Sequence, residues 1–229
     1  MHDLELEAQS PAGAAATVGT VVVVAAGSAD RFRPGSLPAG APVVAADAGV
    51  DRALALGLAV DVAVGDFDSV SPGGLAAVEA AGARVVRHPE EKDATDLELA
   101  LDEAAALGPR RLLVLGADDG RLDHLLAGLL VLGSERYAAL ELDALLGPAT
   151  VHVVRGERVL EGRPGELLSL LPLHGPAEGV VTEGLSYPLR RETLAPGSGR
   201  GVSNAFAAPC ARIVLERGVL LAVRPGGAT

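Results

Sequence analysis

Val60-Asp61-Val62-Ala63-Val64-Gly65-Asp66-Phe67-Asp68-Ser69 joins an apolar, β-branched run to a pair of carboxylates. Such a run reads as a buried strand, and in an open α/β sheet ligands bind in the crevice beyond the carboxyl ends of the strands. Residues two apart on an extended segment point the same way, so Asp66 and Asp68 are placed to share one cation. Oxygen-only ligands suit a hard ion such as Mg2+ and do not suit zinc. The competing reading is a turn in which the two acids start a loop and cap the next helix.

Outward from this strand, short β-branched runs alternate with helical segments from Thr20 to about Gly147, the pattern of an α/β fold with a mostly parallel sheet flanked by helices. Strands are expected at Val21–Ala26, Val43–Ala46, Val62–Gly65, Arg84–Arg87, Leu112–Gly116 and Ala139–Asp143, with helices near 49–57, 73–81, 95–107 and 122–132. Gly57, Gly82, Gly108 and Gly133 follow the helical stretches, where glycine can close a helix in the left-handed conformation. After Pro148 the pattern changes to short runs punctuated by Gly and Pro, which indicates a small C-terminal all-β sandwich domain. The chain therefore divides into a disordered leader at 1–17, an α/β domain at 18–148 and a β domain at 149–229.

Composition narrows the function. Hydrophobic residues make up 49% of the 229, aromatics only 2%, and tryptophan is absent, so a core is easily built but ring-stacking partners are scarce. The net charge of −11 opposes non-specific binding to nucleic acid or to an anionic membrane. Asp3, Glu5 and Glu7 open the chain, which lacks the positive and apolar regions of a signal peptide, and no apolar stretch reaches membrane-spanning length. The lone Cys210 excludes an internal disulfide and fits a reducing cytoplasm. Of the 19 basic residues only Lys92 is a lysine, a point charge of the kind used against phosphate, or a chance survivor.

Three further groups carry chemistry. In Lys92-Asp93-Ala94-Thr95-Asp96 the acids at 93 and 96 fall on one face of a first helical turn, able to help hold a hydrated cation or to form a capping box. Gly116-Ala117-Asp118-Asp119-Gly120-Arg121-Leu122-Asp123-His124 runs from a strand into a helix, where glycines, a helix N-terminus and Arg121 favour phosphate. Asp118 and Asp119 repel an anion unless they meet its metal, and His124 serves as acid/base or as a structural hydrogen-bonding residue. In the β region, Gly184–Leu189 and Gly197-Ser198-Gly199-Arg200-Gly201-Val202-Ser203-Asn204 form Gly- and Ser-rich loops of the kind hairpin geometry alone can require, while Ser203 and Asn204 offer donors and acceptors suited to a heterocycle edge.

In this order and spacing the groups resemble the thiamine pyrophosphokinase (thiamine diphosphokinase) family. Ala46-Asp47-Ala48-Gly49 resembles its Ala-Asp-Gly-Gly element; Gly65–Ser69, Lys92–Asp96 and Arg200–Asn204 reproduce its Gly-Asp-Phe-Asp-Ser, Lys-Asp-x-Thr-Asp and Arg-Gly-Val-Ser-Asn; 116–124 resembles its Gly-Arg-x-Asp-His loop. The resemblance runs from about Val21 to Val223 and implies an N-terminal ATP-binding catalytic domain, a C-terminal thiamine-binding sandwich and a homodimer whose active sites are shared between subunits. Carried over, it makes Asp66, Asp68 and Asp96 the Mg2+ ligands and, with Arg121 and Asp123, the catalytic set. It gives substrate binding to Asp47, Lys92, Asp93, Thr95, Gly120, His124, Arg200, Ser203 and Asn204. Ala48, Asp51 and the pair Asp118-Asp119 depart from the family pattern.

The reaction so implied is transfer of an intact diphosphoryl group from the co-substrate ATP to the hydroxyl of thiamine, with Asp96 or Asp123 taking the hydroxyl proton. Two alternatives share this reading: a diphosphokinase for another heterocyclic alcohol such as a pterin, and a non-catalytic nucleotide-binding regulatory protein. A dinucleotide-dependent oxidoreductase is disfavoured, since Ala26-Gly27-Ser28-Ala29-Asp30 after the first strand carries no G-x-G-x-x-G.

Overall fold

The computed structural model describes residues 18–226; the leader expected at 1–17 lies outside the described residues. Six strands run parallel in the order β4 (Arg84–Arg87), β3 (Val62–Gly65), β2 (Val43–Ala46), β1 (Val18–Val24), β5 (Pro109–Leu115), β6 (Glu141–Leu146). Helices cover both faces. On one, Val21 and Val23 pack with Ala100, Leu101 and Ala104 of α3 (Asp96–Ala106) and with Leu132 of α4 (Leu122–Leu132). On the other, Val22 and Val24 pack with Val50 and Ala53 of α1 (Gly49–Ala55) and Val78 of α2 (Pro72–Ala80). Burial on both faces is why these strands read as unbroken apolar runs instead of alternating ones.

Strand order reverses between β1 and β5, because the chain moves outward through β2, β3 and β4 before α3 returns it to the far side of β1. The carboxyl ends of β1, β2, β3 and β5 consequently open around one crevice.

Beyond β6 the chain contains only strands and turns among the described residues, as expected, yet the sheet does not break. A tight turn at Gly147 pairs β6 antiparallel with β7 (Ala149–Val154), which continues through β13 (Arg217–Arg224) to β9 (Leu167–Glu183). The 17-residue β9 then bends: its first half pairs with β13 and β11 (Asn204–Ala205), its second with β10 (Arg190–Leu194) and β12 (Cys210–Val214), whose far edge carries β8 (Glu157–Glu161). Between these strands lies a second core that includes Leu168, Leu170, Phe206, Ile213 and Leu220. Across the parallel-to-antiparallel change, Asp143 of β6 is 2% exposed and binds Arg111 of β5 (2.5 Å), His152 of β7 (2.6 Å) and Arg158 of β8 (2.7 Å). Burial alone raises this carboxyl, but the hydrogen bond from His152 and the charges of His152, Arg158 and Arg111 outweigh it and hold the pKa at about 2.

Two local expectations need correction. The helix after Thr95 begins at Asp96 with Thr95 as its N-cap, the hydroxyl accepting from Glu98 N at 3.2 Å, so Asp93 precedes the helix and does not share a turn with Asp96. Gly133 closes α4 at φ −84° and not in the left-handed region. Its role is steric: an added Cβ would lie 2.7 Å from Leu173 Cδ1, at a helix end where Arg155 donates to Gly133 O (2.5 Å) and His174 Nε2 lies 2.9 Å from Leu130 O.

Ordinarily Gly→Ala in helical backbone gains roughly 0.5–1 kcal/mol. Here Gly133→Ala is expected to destabilise the fold by about 1–3 kcal/mol through overpacking against Leu173, with Leu173→Ala relieving the clash in the double variant; urea denaturation of the three proteins measures the coupling.

Candidate active site

The crevice at the strand ends is a cleft of about 520 Å³ lined by Asp47, Asp66, Asp68, Asp96, Asp119 and Arg121 among others. Asp47 leaves β2 at φ 43° with its N–H on Val64 O of β3 (2.9 Å), which ties the two strand ends together. Gly65 lies between two acids: a Cβ there would sit 3.2 Å from both Asp47 Cβ and Asp96 Oδ1.

Asp66 and Asp68 do not sit on an extended segment. Phe67 between them takes φ 63°, its ring 8% exposed in the core and 5.1 Å from the Arg87 guanidinium. Burial of that ring is what holds a left-handed phenylalanine, and the resulting turn lets Asp66 Oδ1 accept from Asp68 N at 3.3 Å. The far end of the loop is fixed by Asp51, whose carboxylate accepts from Ser71 N (2.7 Å) and Ser71 Oγ (2.6 Å) at the start of α2.

Asp47, Asp66 and Asp68 each bring a ligand oxygen within 4.8 Å of the others. Thus the trio that the structure assembles keeps 66 and 68 from the expected metal set and adds Asp47, while Asp96 lines the same cleft and faces Lys92. Asp93 is exposed and outside the cleft lining. Lys92 Nζ donates to Asp66 Oδ2 at 2.6 Å and lies 3.0 Å from Asp96 Oδ1. That hydrogen bond lowers the Asp66 pKa, and the two carboxylates raise that of Lys92 against the opposing effect of burial. Among the described residues no cation pairs with Asp47: burial first, and the charges of Asp96, Asp68 and Asp66, push its pKa up against the lowering effect of a hydrogen bond from the Ala48 backbone, and its Oδ1 is buried with no hydrogen-bond partner. An orphaned carboxylate oxygen beside two further carboxylates fits a hard divalent cation.

On the opposite wall the loop after β5 sorts its acids. Asp118 turns away from the cleft, accepting from Ser28 N at 2.8 Å and packing against Gly27 and Gly147, so it is a structural tie. Asp119 remains in the cleft wall, where Oδ1 accepts from Arg121 N (3.0 Å) and Oδ2 lies 3.2 Å from His124 Nδ1. Arg121 pairs with Asp123 at 2.6 Å on the surface and holds its carboxyl down at about 2, while Gly120 at φ 90° has open space around it.

A second cavity of about 200 Å³ lies in the strand-rich half, lined by Tyr187, Leu189 and Gly199–Asn204, and shares no lining residue with the first. Asn204 is 3% exposed and commits its carboxamide to the fold, accepting from Tyr187 N (3.0 Å) and donating to Tyr187 O (2.8 Å). The clip presents Tyr187, 67% exposed, which lies in the Gly184–Leu189 stretch named from the sequence, though no local signal gives its ring a role there, since the partner that holds it, Asn204, is 17 residues away. Arg200 pairs with Glu192 (2.7 Å), and Ser203 N donates to Ser169 Oγ (3.0 Å).

A parallel sheet whose order reverses above an acid-lined cleft, fused through one hydrogen-bonded sheet to a strand-rich half with its own cavity, defines a two-site α/β protein. The models of the thiamin pyrophosphokinase catalytic domain and of the thiamin pyrophosphokinase vitamin B1 binding domain match residues 39–142 and 150–220 respectively. The chain belongs to the thiamine pyrophosphokinase family. Its relatives include the thiamine pyrophosphokinase of Bacillus subtilis (strain 168), 26% identical over 183 residues, 79% of this chain and 86% of that protein. Thiamine pyrophosphokinase 1 of Oryza sativa subsp. japonica is 29% identical over 168 residues, covering 68% of this chain and 62% of that protein. The crystal structure of the Bacillus subtilis protein superposes with a TM-score of 0.79 at 24% identity over 91% of this chain and all of that one. A solved structure of thiamin pyrophosphokinase from Candida albicans gives a TM-score of 0.72 at 16% identity over 90% of this chain and 88% of that one, a likeness of fold.

Because the Asp47 pKa in the folded chain exceeds the ordinary 3.8, folding loses stability as pH climbs from that value through the raised one, and the loss persists at neutral pH. Asp47→Asn is therefore expected to melt at a higher temperature than the parent at pH 7 in chelator-treated protein, and the advantage to vanish below the ordinary carboxylate range, by scanning calorimetry.

Proposed function

We propose that this protein transfers a diphosphoryl group from ATP to the hydroxyl of thiamine, giving thiamine diphosphate and AMP. The observation that carries the reading is the Asp47, Asp66 and Asp68 trio, with its orphaned oxygen, at the carboxyl ends of β2 and β3 in the cleft of a chain of this family. Asp47, Asp66 and Asp68 would hold Mg2+, which supplies charge neutralisation to a bound polyphosphate. Arg121 swings from Asp123 onto the phosphates, a move that costs little because both side chains are more than half exposed. The thiamine hydroxyl attacks the β-phosphorus, the bond from that phosphorus to the α–β bridging oxygen breaks, and AMP leaves. Of the two carboxylates offered as proton acceptor, Asp96 lines the cleft and Asp123 does not, so Asp96 takes the hydroxyl proton. Asp119 orients His124 beside the phosphates.

Residues 18–148 form the nucleotide-binding domain and 149–229 the acceptor domain, a sandwich closed over Leu168, Phe206 and Ile213. Tyr187, with Arg200 and Ser203, receives the heterocycle. A homodimer joins the acceptor cavity of one copy to the cleft of the other. Support comes from α4, where Leu122, Leu126 and Leu130 are 68%, 53% and 48% exposed in a stripe of spacing four beside the cleft. No helix among the described residues is long and apolar enough to cross a membrane, and the lone cysteine is consistent with the cytoplasm.

Asp68→Asn is expected to lower AMP formation from ATP and thiamine on the order of 10²–10³-fold without altering the melting profile. AMP release measured with thiamine, a hydroxymethylpterin and no acceptor tests the reading as a whole: release with the pterin alone assigns another acceptor, and release with none of them a binding protein. Leu126→Glu is expected to sediment as a monomer and to lose thiamine-dependent turnover while retaining ATP binding.

A further inference from the structure

Lys92 stands among the acids of the cleft with its side chain 13% exposed, its Nζ 2.6 Å from Asp66 Oδ2 and 3.0 Å from Asp96 Oδ1. Asp66 is thereby shared, since it also belongs to the trio whose ligand oxygens lie within 4.8 Å of one another. A divalent cation on that trio has the ammonium as its neighbour across a single carboxylate. Like charges so close, where the lysine side chain is only 13% exposed, repel more than they would in bulk solvent.

We propose that Lys92 is a charge gate: its ammonium competes with the divalent cation for the cleft carboxylates, so the cation binds weakly alone and tightly only with a polyphosphate that engages the ammonium. The inference rests on the reading of Asp47, Asp66 and Asp68 as the cation site. An ammonium suits the task because it is a compact charge on a flexible stem that can turn from carboxylate to phosphate, whereas a guanidinium forks rigidly onto the carboxylates. Coupling of this kind is reciprocal, so cation and polyphosphate raise each other's affinity by the same factor. Asp47 and Asp96 complete the balance: the buried Oδ1 of each makes no hydrogen bond, and only Asp96 lies within ion-pair reach of the ammonium, at 3.0 Å.

The test is Mn2+ binding, followed by the spin-resonance signal of the free ion, to the full chain and to Lys92→Met, Lys92→Gln and Lys92→Arg, with and without a nonhydrolysable ATP analogue. Without nucleotide, Lys92→Met and Lys92→Gln are expected to bind Mn2+ about tenfold or more tightly than the parent, within the usual range of such couplings. Lys92→Arg retains weak binding, and the analogue improves Mn2+ affinity less in the uncharged variants than in the parent. Equal or weaker Mn2+ binding by whichever uncharged variant keeps the parent's melting profile overturns the proposal. So does a loss of analogue affinity with Mn2+ affinity unchanged, which would make Lys92 a phosphate ligand only. Mn2+ binding by none of the proteins overturns the cation-site reading and this inference with it. None of these arms requires turnover, so a different acceptor alcohol leaves the result standing.

Discussion

Asp143 is the charge on which the two halves of the molecule are hung. It is a carboxylate 2% exposed, and it survives ionised only because Arg111, His152 and Arg158 converge on it from three other strands. Those partners come from β5, β7 and β8, so the cluster is satisfied only when the parallel sheet and the strand-rich half lie in one register. A slip of one residue at the Gly147 turn would carry His152 to the other face of the sheet and away from Asp143. The same register delivers His174 and Arg155 to the end of α4, and α4 in turn starts at the cleft wall.

The cleft spends what this framework supplies. Parallel strands that end together bring together whatever follows them, and here Asp47 follows β2 and Asp66 follows β3. Four carboxylates then crowd one cleft while Lys92 pairs with only two of them, Asp66 and Asp96, an arrangement that folding alone disfavours and that ligand charge repays. Phe67 makes the crowding possible: its ring is anchored in the core, so the left-handed turn that aims Asp66 and Asp68 is held from behind. The acids that need not be there are removed from the cleft, Asp118 into the Gly27–Ser28 turn and Asp51 onto the start of α2.

Much of this was legible in the sequence, and the pattern of what was not is physical. β2, β3, β4 and α4 fall at their expected residues because their periodicity and glycine boundaries are local signals. Motif order placed the acids, Arg121 and the Ser203 loop in two regions of the fold. Direction was beyond reach: no local signal says that Phe67 turns left-handed, that Asp118 points away, or that Asn204 serves Tyr187. Each depends on a partner distant in sequence, such as Ser28, which is 90 residues from Asp118. Gly133 misled for the same reason, since Leu173, not the helix, requires it to lack a side chain. The continuous sheet across Gly147 was hidden because a hairpin turn and a domain linker share a composition of glycine and proline.

The clip that presents Tyr187 has an optical consequence. The chain has no tryptophan and two tyrosines, so its near-ultraviolet emission comes from two phenols in opposite settings. Tyr137 is 2% exposed and donates to the Asp102 carboxylate at 2.8 Å, a contact that quenches phenol emission. Tyr187 stands in solvent at the rim of the strand-rich cavity. The native protein thus carries a label-free fluorophore at the cavity proposed for its acceptor, and changes in tyrosine emission report what enters there.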